Sequence, residues 1–475
     1  VVLAGVAGLA SRRLVETPLG RRPGWLARVP WELAALAGAG VLLSRVRAGG
    51  LPQSPGGLAL PALTAAQMLF PLLFVTGAVL VGVRVLAGLL PRLRRLAGGW
   101  PHAAYLASRR LTGTPQATLV AVATAALPIG ILVFSAALTG TLRYTTDAKA
   151  RVFVGSDTAV GVVGDRPVPA GLGLAATAVR RIEGATVGGR QVDVLGVDPA
   201  TFAQAAFWDH RFAGQPLDRL LGRLDDPGGG LPAIAVGLPA PDRFSVRLPT
   251  VAAGRDVPGR VVATAAAFPG QKGSPLLVVD RRRLDRLSGL LVAGTELWVR
   301  GPSSRAQQAI AQAQVPVRFV VTVAQVSQAP NLVAIVWTFD FLQTLGLLAG
   351  AMAVGGLLLY FHARQQRSQL AYLFARRMGL SRASHLRSLL LESSFSLGLG
   401  YLLGLLLSIS GVLLIYQVLD TQPSVPPRPL YVSPTTPAVG VAVAVAAVSL
   451  LVAAVAQRTA DHARPAELLR LGVHT

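Results

Sequence analysis

The chain has 475 residues, of which 52% are hydrophobic, and its mean hydropathy of +0.53 is too high for an ordinary soluble protein and too low for one that lies wholly within a bilayer. Cysteine is absent, which excludes disulfides, thiolate metal sites and cysteine nucleophiles. The formal net charge of +23 would suggest nucleic acid binding in a soluble protein, but the basic residues cluster beside hydrophobic runs, as the positive-inside rule describes, and we expect no nucleic acid partner.

The first part of the chain predicts membrane helices that flank basic segments. Residues 1–30 hold an apolar stub, interpreted as the end of a helix whose start is missing, and a basic segment. Residues 31–90 hold a short and a longer apolar run around a Gly/Pro-rich loop, which predicts a linking pair of transmembrane helices. Residues 91–116 mix basic and aromatic side chains, which is typical of an amphipathic helix on the cytoplasmic face.

Two long hydrophobic runs enclose a polar stretch. Residues 117–142 and 332–361 can each cross a bilayer, because about 20 apolar residues at 1.5 Å per residue span its hydrocarbon core. Between them, residues 143–326 alternate β-branched runs, helical patterns and turn residues, which predicts an α+β domain. This order indicates a membrane protein with a sizeable exported domain.

The pattern within this domain also predicts individual elements. The predicted strands are 151–154, 158–163, 186–197, 232–236, 260–264, 276–279, 296–299 and 315–323. The predicted helices are 170–182, 198–207, 281–287 and 303–314.

The last part of the chain repeats the alternation of basic and apolar segments. Basic residues 362–387 precede two apolar runs, 388–419 and 437–457, and a basic tail, 458–475. If every Arg-rich segment lies inside, residues 143–326 are extracytoplasmic. The predicted fold is a polytopic α-helical membrane protein with roughly six complete transmembrane helices, an N-terminal stub and an inserted α+β extracytoplasmic domain.

The sequence has no motif for ATP binding, metal binding or hydrolysis. Residues 270–274 include a Lys and a Ser but lack the spacing of a phosphate-binding loop. The six histidines do not stand at metal-ligand spacing, and no Gly-x-Ser-x-Gly nucleophile elbow occurs. We therefore expect no catalytic, cofactor-binding or metal-binding residues and no enzyme activity in this chain.

Glycines recur four residues apart in the last apolar runs, at Gly346 with Gly350 and at Gly400 with Gly404. In lipid such spacing lets helices approach closely, because packing must supply the contact that the hydrophobic effect supplies in water. The chain contains 51 glycines, so the spacing also arises from abundance alone, and both interpretations stay open.

The most specific piece of sequence lies between residues 359 and 404. The pattern predicts a helix that leaves the membrane and continues through basic residues to a turn at Gly379, which precedes Leu380, Ser381 and Arg382. The next helix then enters the membrane at Glu392, which is followed by small residues. This order resembles the C-terminal core of FtsX-like ABC transporter permeases of the macrolide-exporter or lipoprotein-release type. Residues 106–118 and 464–470 are similar to that family's Arg-rich approach helix and its cytoplasmic tail.

The resemblance implies a permease subunit without its own ATPase. Such a subunit is expected to couple ATP hydrolysis on a separate nucleotide-binding subunit to movement of the extracytoplasmic domain, for export or extraction of an unidentified substrate. The implied ATPase-coupling residues are Arg376, Arg377, Gly379, Ser381, Arg382 and Glu392. The linking helices resemble those of long, duplicated members, so the chain is expected to be the second half of such a permease.

The resemblance also implies partners and a location. The partners are an ABC ATPase subunit and the lipid bilayer, and a second permease half or an extracytoplasmic protein stays open as a further one. The location is the bacterial cell membrane. Family members often carry an acid within the basic stretch, whereas here no acid occurs between Asp340 and Glu392.

Two alternatives stay open: a membrane-anchored extracytoplasmic sensor or scaffold, and a cell-division-type activator of a wall hydrolase.

Overall fold

The computed structural model describes most of the chain. The described residues are 31–49, 65–96, 99, 101–239, 242–250, 254–287, 293–327, 337, 340–341, 343–352, 354–356, 378–379, 381–420, 423 and 425–461.

The elements are numbered here in chain order. The helices are α1 (Trp31–Gly49), α2 (Ala65–Leu96), α3 (His102–Gly113), α4 (Pro115–Val154), α5 (Pro199–Ala205), α6 (Leu217–Gly222), α7 (Arg281–Leu287), α8 (Ser303–Gln312), α9 (Val323–Ser327), α10 (Arg382–Ile415) and α11 (Thr435–Asp461). The strands are β1 (Thr158–Val162), β2 (Ala176–Val187), β3 (Arg190–Val197), β4 (Leu231–Val236), β5 (Arg243–Leu248), β6 (Arg255–Ala265), β7 (Leu276–Asp280), β8 (Gly294–Val299) and β9 (Val317–Thr322).

Among the described residues, four helices are long and apolar enough to cross a membrane. They are Leu72–Arg92 within α2, Pro115–Val154, Arg382–Ile415 and Thr435–Thr459. The expected combination of membrane helices with a separate region of mixed strands and helices is thus confirmed. The count of roughly six stays a prediction. α1 is not among the four. Within 332–361 the described residues are 337, 340–341, 343–352 and 354–356, and the apolar helix Gln343–Gly356 is shorter than the four.

Helix α4 is longer than the sequence predicted. We expected a membrane helix to end at residue 142 and a strand to occupy 151–154, but one α-helix of 40 residues continues to Val154. The polar residues after 142 include no Gly or Pro, so nothing interrupts the helix. It ends at Gly155, whose φ of 94° suits glycine and whose N–H donates to the Arg151 carbonyl at 2.7 Å.

The strands form one nine-stranded sheet in the order β3-β7-β4-β6-β5-β2-β8-β1-β9, and β3 also pairs with β2. Most neighbouring pairs are antiparallel, while β3 with β7 and β4 with β6 are parallel. The β2–β3 hairpin turns at Gly188 and Gly189, which have φ angles of 54° and 79°. Positive φ at both positions is what a tight hairpin turn requires.

One predicted helix in this region is wrong. Residues 170–182 read as helical, but Ala176–Val187 is strand β2. This segment pairs with β8 on one side and with β3 on the other, so sheet hydrogen bonds override its weak helical pattern. Strand β5 was not predicted, because its exposed Arg243 and Arg247 interrupt the apolar pattern.

The last turn of α4 belongs to the core of the sheet region. Val154 is buried in the cluster that contains Phe202, Phe268 and Trp298. A side chain added at Gly155 would meet the Trp298 ring within 2.4 Å, so only glycine allows this approach. Helix α4 therefore continues as a stem into the core of the sheet domain.

Contacts along the helices set their directions. Gly404 lies against Ala126, and Val412 and Leu138 share one core cluster nearer the sheet domain, so α10 runs parallel to α4. Helix α11 runs antiparallel to α10. We call the end next to the sheet domain the sheet end, and the opposite end, which holds α3 and the start of α10, the basic end.

Candidate functional site

Those of the expected coupling residues that the structure describes lie at the basic end. Arg376 and Arg377 lie outside the described residues. Gly379 has a φ of 98°, which glycine adopts readily and which fits the turn expected there. Ser381 caps α10, because its hydroxyl accepts the Ser384 N–H at 3.1 Å, and exposed Arg382 opens the helix. Helix α10 therefore begins before residue 388, where the apolar run alone placed it.

Glu392 points into the helical bundle. Its side chain is only 8% exposed, and its Oε2 lies 3.6 Å from Arg110 Nη1 on α3. Helix α3 is held in place by its buried face, which includes Ala107 and Leu111. The ion pair thus joins the approach helix to the re-entering helix. The sequence had singled out Glu392 but not Arg110 as its partner.

A polar seam also joins α10 to α11. His385 Nδ1 lies 2.7 Å from Gln457 Oε1, and the Ser393 hydroxyl donates to the Ser449 carbonyl at 3.3 Å. Ser388 Oγ is fully buried, without a hydrogen-bond partner among the described residues. Polar contacts between helices are directional and fix helix positions in an apolar bundle.

The sequence carries a signal for the buried polar contacts of α10. His385, Ser388, Glu392 and Ser396 are spaced three or four residues apart, so they share one face of α10. All four are buried. A polar stripe on an otherwise apolar helix indicates a helix contact, because lipid does not solvate it.

The paired glycines lie mostly at close helix contacts. An added Cβ at Gly400 would meet Ala125 Cβ at 2.8 Å, and one at Gly404 would meet the Ala126 carbonyl oxygen at 2.8 Å. Gly346 would meet the Leu132 backbone at 3.1 Å, whereas Gly350 faces open space. Three of these glycines therefore sit where α4 is approached closely.

Helix α10 is joined to three neighbouring helices by three kinds of contact. Helix α10 contacts α3 through charge, α11 through hydrogen bonds and α4 through backbone-close packing. Among the described residues, no group of three or more potential ligands could hold a metal ion. A displacement of the basic end of α10 would therefore reach three neighbouring helices at once.

No protein-family model and no curated protein matches the chain.

Replacing Arg110 by Met should destabilise the bundle, because the buried Glu392 carboxylate loses a cation. We expect a loss of about 1–3 kcal/mol, below the cost for a fully buried pair, since the Arg110 side chain is 33% exposed. Thermal unfolding in nanodiscs measures the change. The matched control is Arg109→Met, because Arg109 is the exposed neighbour and donates to the Tyr105 hydroxyl on its own helix. An equal loss in both variants would contradict the assignment.

Proposed function

We propose that this chain is the permease subunit of an ABC transporter in a bacterial cell membrane. It works with a separate ATPase subunit, and its sheet domain is extracytoplasmic. The proposal follows from the resemblance of residues 359–404 to FtsX-like permeases and from the clustering of Arg at the basic end. The substrate class is unassigned.

The continuous helix α4 carries this proposal. Its 40 residues run from the basic end into the core of the sheet domain, where Val154 is buried beside Trp298. A helix that is packed against its neighbours in both regions can transmit a shift from one end to the other, and α4 stays continuous through its internal Pro128. This is what a permease needs if ATP hydrolysis drives an extracytoplasmic domain.

The basic end supplies the surface for the ATPase. In this proposal the segment with Arg376, Arg377 and Arg382 contacts the ATPase, and Gly379 and Ser381 set the turn into α10. Glu392 passes the displacement to α3 through Arg110, which lies 3.6 Å away. Each step uses a contact or a turn at one end of α10.

Co-purification with the ATPase tests the proposal. The double variant Arg376→Glu and Arg377→Glu should lower the stimulated ATPase rate roughly tenfold in the reconstituted complex, because charge reversal opposes docking of an acidic partner surface. Membrane insertion should be unchanged. A matched double variant, Arg364→Glu and Arg367→Glu, reverses two charges in the same basic stretch and should have a smaller effect. Unchanged stimulation in the first variant would refute these contacts.

The same experiment separates the alternative. A membrane-anchored sensor or scaffold needs no ATPase, so the wild-type chain would then purify without one. In that case the sheet domain would bind a different partner, and the stem of α4 would hold this domain at the membrane.

A further inference from the structure

A short extended segment between α10 and α11 lies between the stem of α4 and the sheet domain. We call residues 430–432 the strap. The N–H groups of Leu430 and Val432 donate to the hydroxyls of Thr145 and Thr141 on α4, at 3.0 and 3.2 Å. The carbonyl of Tyr431 accepts from Arg211 Nη1 at 3.0 Å. Successive strap residues thus bond to the helix on one side and to the sheet domain on the other.

The spacing of the two partners matches. Residues two apart in an extended chain are about 6.6 Å apart, and residues four apart on a helix rise about 6 Å. The strap therefore lies along α4 in register. Leu430 also enters an apolar cluster with residues of α4 and of the sheet domain. Its other members are Ala148, Val152, Phe212 and Ala267.

The sheet-domain side of the strap is anchored by charge. Arg211 donates to Asp209 from Nε at 2.9 Å and from Nη2 at 2.6 Å, and the Tyr144 hydroxyl on α4 donates to Asp209 Oδ2 at 2.7 Å. The hydrogen bonds from Arg211 hold the pKa of Asp209 well below its usual range. Asp209 therefore stays ionised and Arg211 stays in place at any ordinary pH.

A buried ion pair holds the start of the same connection, ten residues before the strap. Lys149 Nζ on α4 lies 2.6 Å from Asp420 Oδ1 in the connection after α10, and the two side chains are only 6% and 11% exposed. Removing one partner of such a pair leaves the other charge buried without its counter-charge, which is strongly unfavourable. Arg143, which is also on α4, pairs with Asp340 at the same 2.6 Å separation, but these two side chains are 57% and 39% exposed. Exposed pairs contribute little.

We propose that Lys149 and Asp420 are positioning residues that latch the strap to the stem of α4. The latch fixes the sheet ends of α10 and α11 to the sheet domain, so that movement of α10 reaches this domain through the strap as well as through α4. The latch itself follows from the contacts. Its role in transmission rests on the proposed permease function.

Hydrogen exchange of the chain in nanodiscs tests the latch without any ATPase. In Lys149→Met, we expect peptides that cover residues 430–432 to exchange roughly tenfold faster, because the amides of Leu430 and Val432 lose their partners when the connection opens. Arg143→Met is the matched control and should leave these peptides protected. The swapped pair Lys149→Asp with Asp420→Lys should restore protection. Equal exchange in Lys149→Met and Arg143→Met would overturn the proposal.

A second variant covers the case in which Lys149→Met does not fold. Thr145→Val keeps the side-chain shape but removes the acceptor for the Leu430 N–H. Faster exchange at Leu430 in this variant supports the strap contact, and unchanged exchange refutes it.

The role in transmission has its own readout. Because the chain lacks cysteine, spin labels can be placed at the exposed positions Val163 and Gln417 without other changes. With the ATPase bound, ATP should leave the distance between the labels unchanged in the wild type, because the latch holds the sheet end of α10 to the sheet domain, and should change it in Lys149→Met. If the wild type binds no ATPase, the permease function fails while the exchange result still decides the latch.

Discussion

Replacing Gly404 by Leu should prevent α10 from packing on α4. A Cβ at this position would stand 2.8 Å from the Ala126 carbonyl oxygen and 3.1 Å from the Gly130 backbone nitrogen. Both are backbone atoms of α4, so they cannot move aside as a side chain could. We expect a loss of about 3 kcal/mol or more, at the upper end for overpacked sites, measured as thermal unfolding in nanodiscs.

Gly398 provides the control on the same helix. An added side chain at Gly398 meets nothing within 4 Å, so Gly398→Leu should leave stability unchanged or raise it slightly through better helix propensity. The hydrogen bond from Ser408 to the Gly130 carbonyl, 2.8 Å long, should be lost only in Gly404→Leu. Similar stability of the two variants would show that this helix contact does not form.

Replacing Arg181 by Met should destabilise the sheet domain. Arg181 and Glu296 are both 4% exposed, and their Nε and Oε1 atoms are 3.0 Å apart. Arg181 also donates to the Gly270 carbonyl at 2.8 Å. Its removal leaves Glu296 with the partly exposed Lys272 as its cation. We expect a loss of about 3 kcal/mol, which the fluorescence of buried Trp298 should follow during unfolding.

The acid dependence gives this prediction a second readout. Burial raises the pKa of Glu296, but the charges of Arg181 and Lys272 and the hydrogen bond from Trp298 lower it overall. A lowered pKa in the folded state means that this stabilisation is present above the unfolded-state pKa of about 4.3 and is lost as the pH falls through the folded-state value. In Arg181→Met the loss should begin at a higher pH. Burial raises the pKa of nearby Asp193, which opposes this effect in both proteins.

Arg180→Met is the control for the same strand. Arg180 is adjacent on β2 and pairs with Asp285 at 2.7 Å, but these side chains are more exposed. We expect a loss of about 1 kcal/mol or less, without a change in acid dependence. Equal losses for Arg180 and Arg181 would contradict the role of the buried pair.

The sequence predicted the apolar helices because long hydrophobic runs have few alternatives to a membrane helix. It predicted most strands because β-branched runs are bounded by turn residues, as in residues 276–279 of β7. It misplaced the end of α4, because polar residues mark the end of a hydrophobic run but do not break a helix. The helix predicted at residues 170–182 was wrong because Ala176–Arg181 of β2 pairs with β8, which is distant in sequence.

The sequence predicted only some of the residues of the candidate site. Glu392 was singled out by the resemblance of residues 359–404 to FtsX-like permeases, in which a Glu follows the basic turn. Its partner Arg110 was one arginine among several in a basic segment, and only helix packing selects it. Lys149 and Asp420 are far apart in the chain, so their pairing had no sequence signal.

By itself, the sequence determined that long apolar helices are combined with a region of strands and helices, because these properties depend on local hydrophobicity and periodicity. The tertiary structure decided which of these parts are joined. The continuation of α4 into the sheet domain, the approach of α10 at Gly404 and the burial of the Lys149–Asp420 pair depend on contacts between distant residues. Such contacts form only when the folded chain brings those residues within a few ångströms of each other, and no local pattern specifies them.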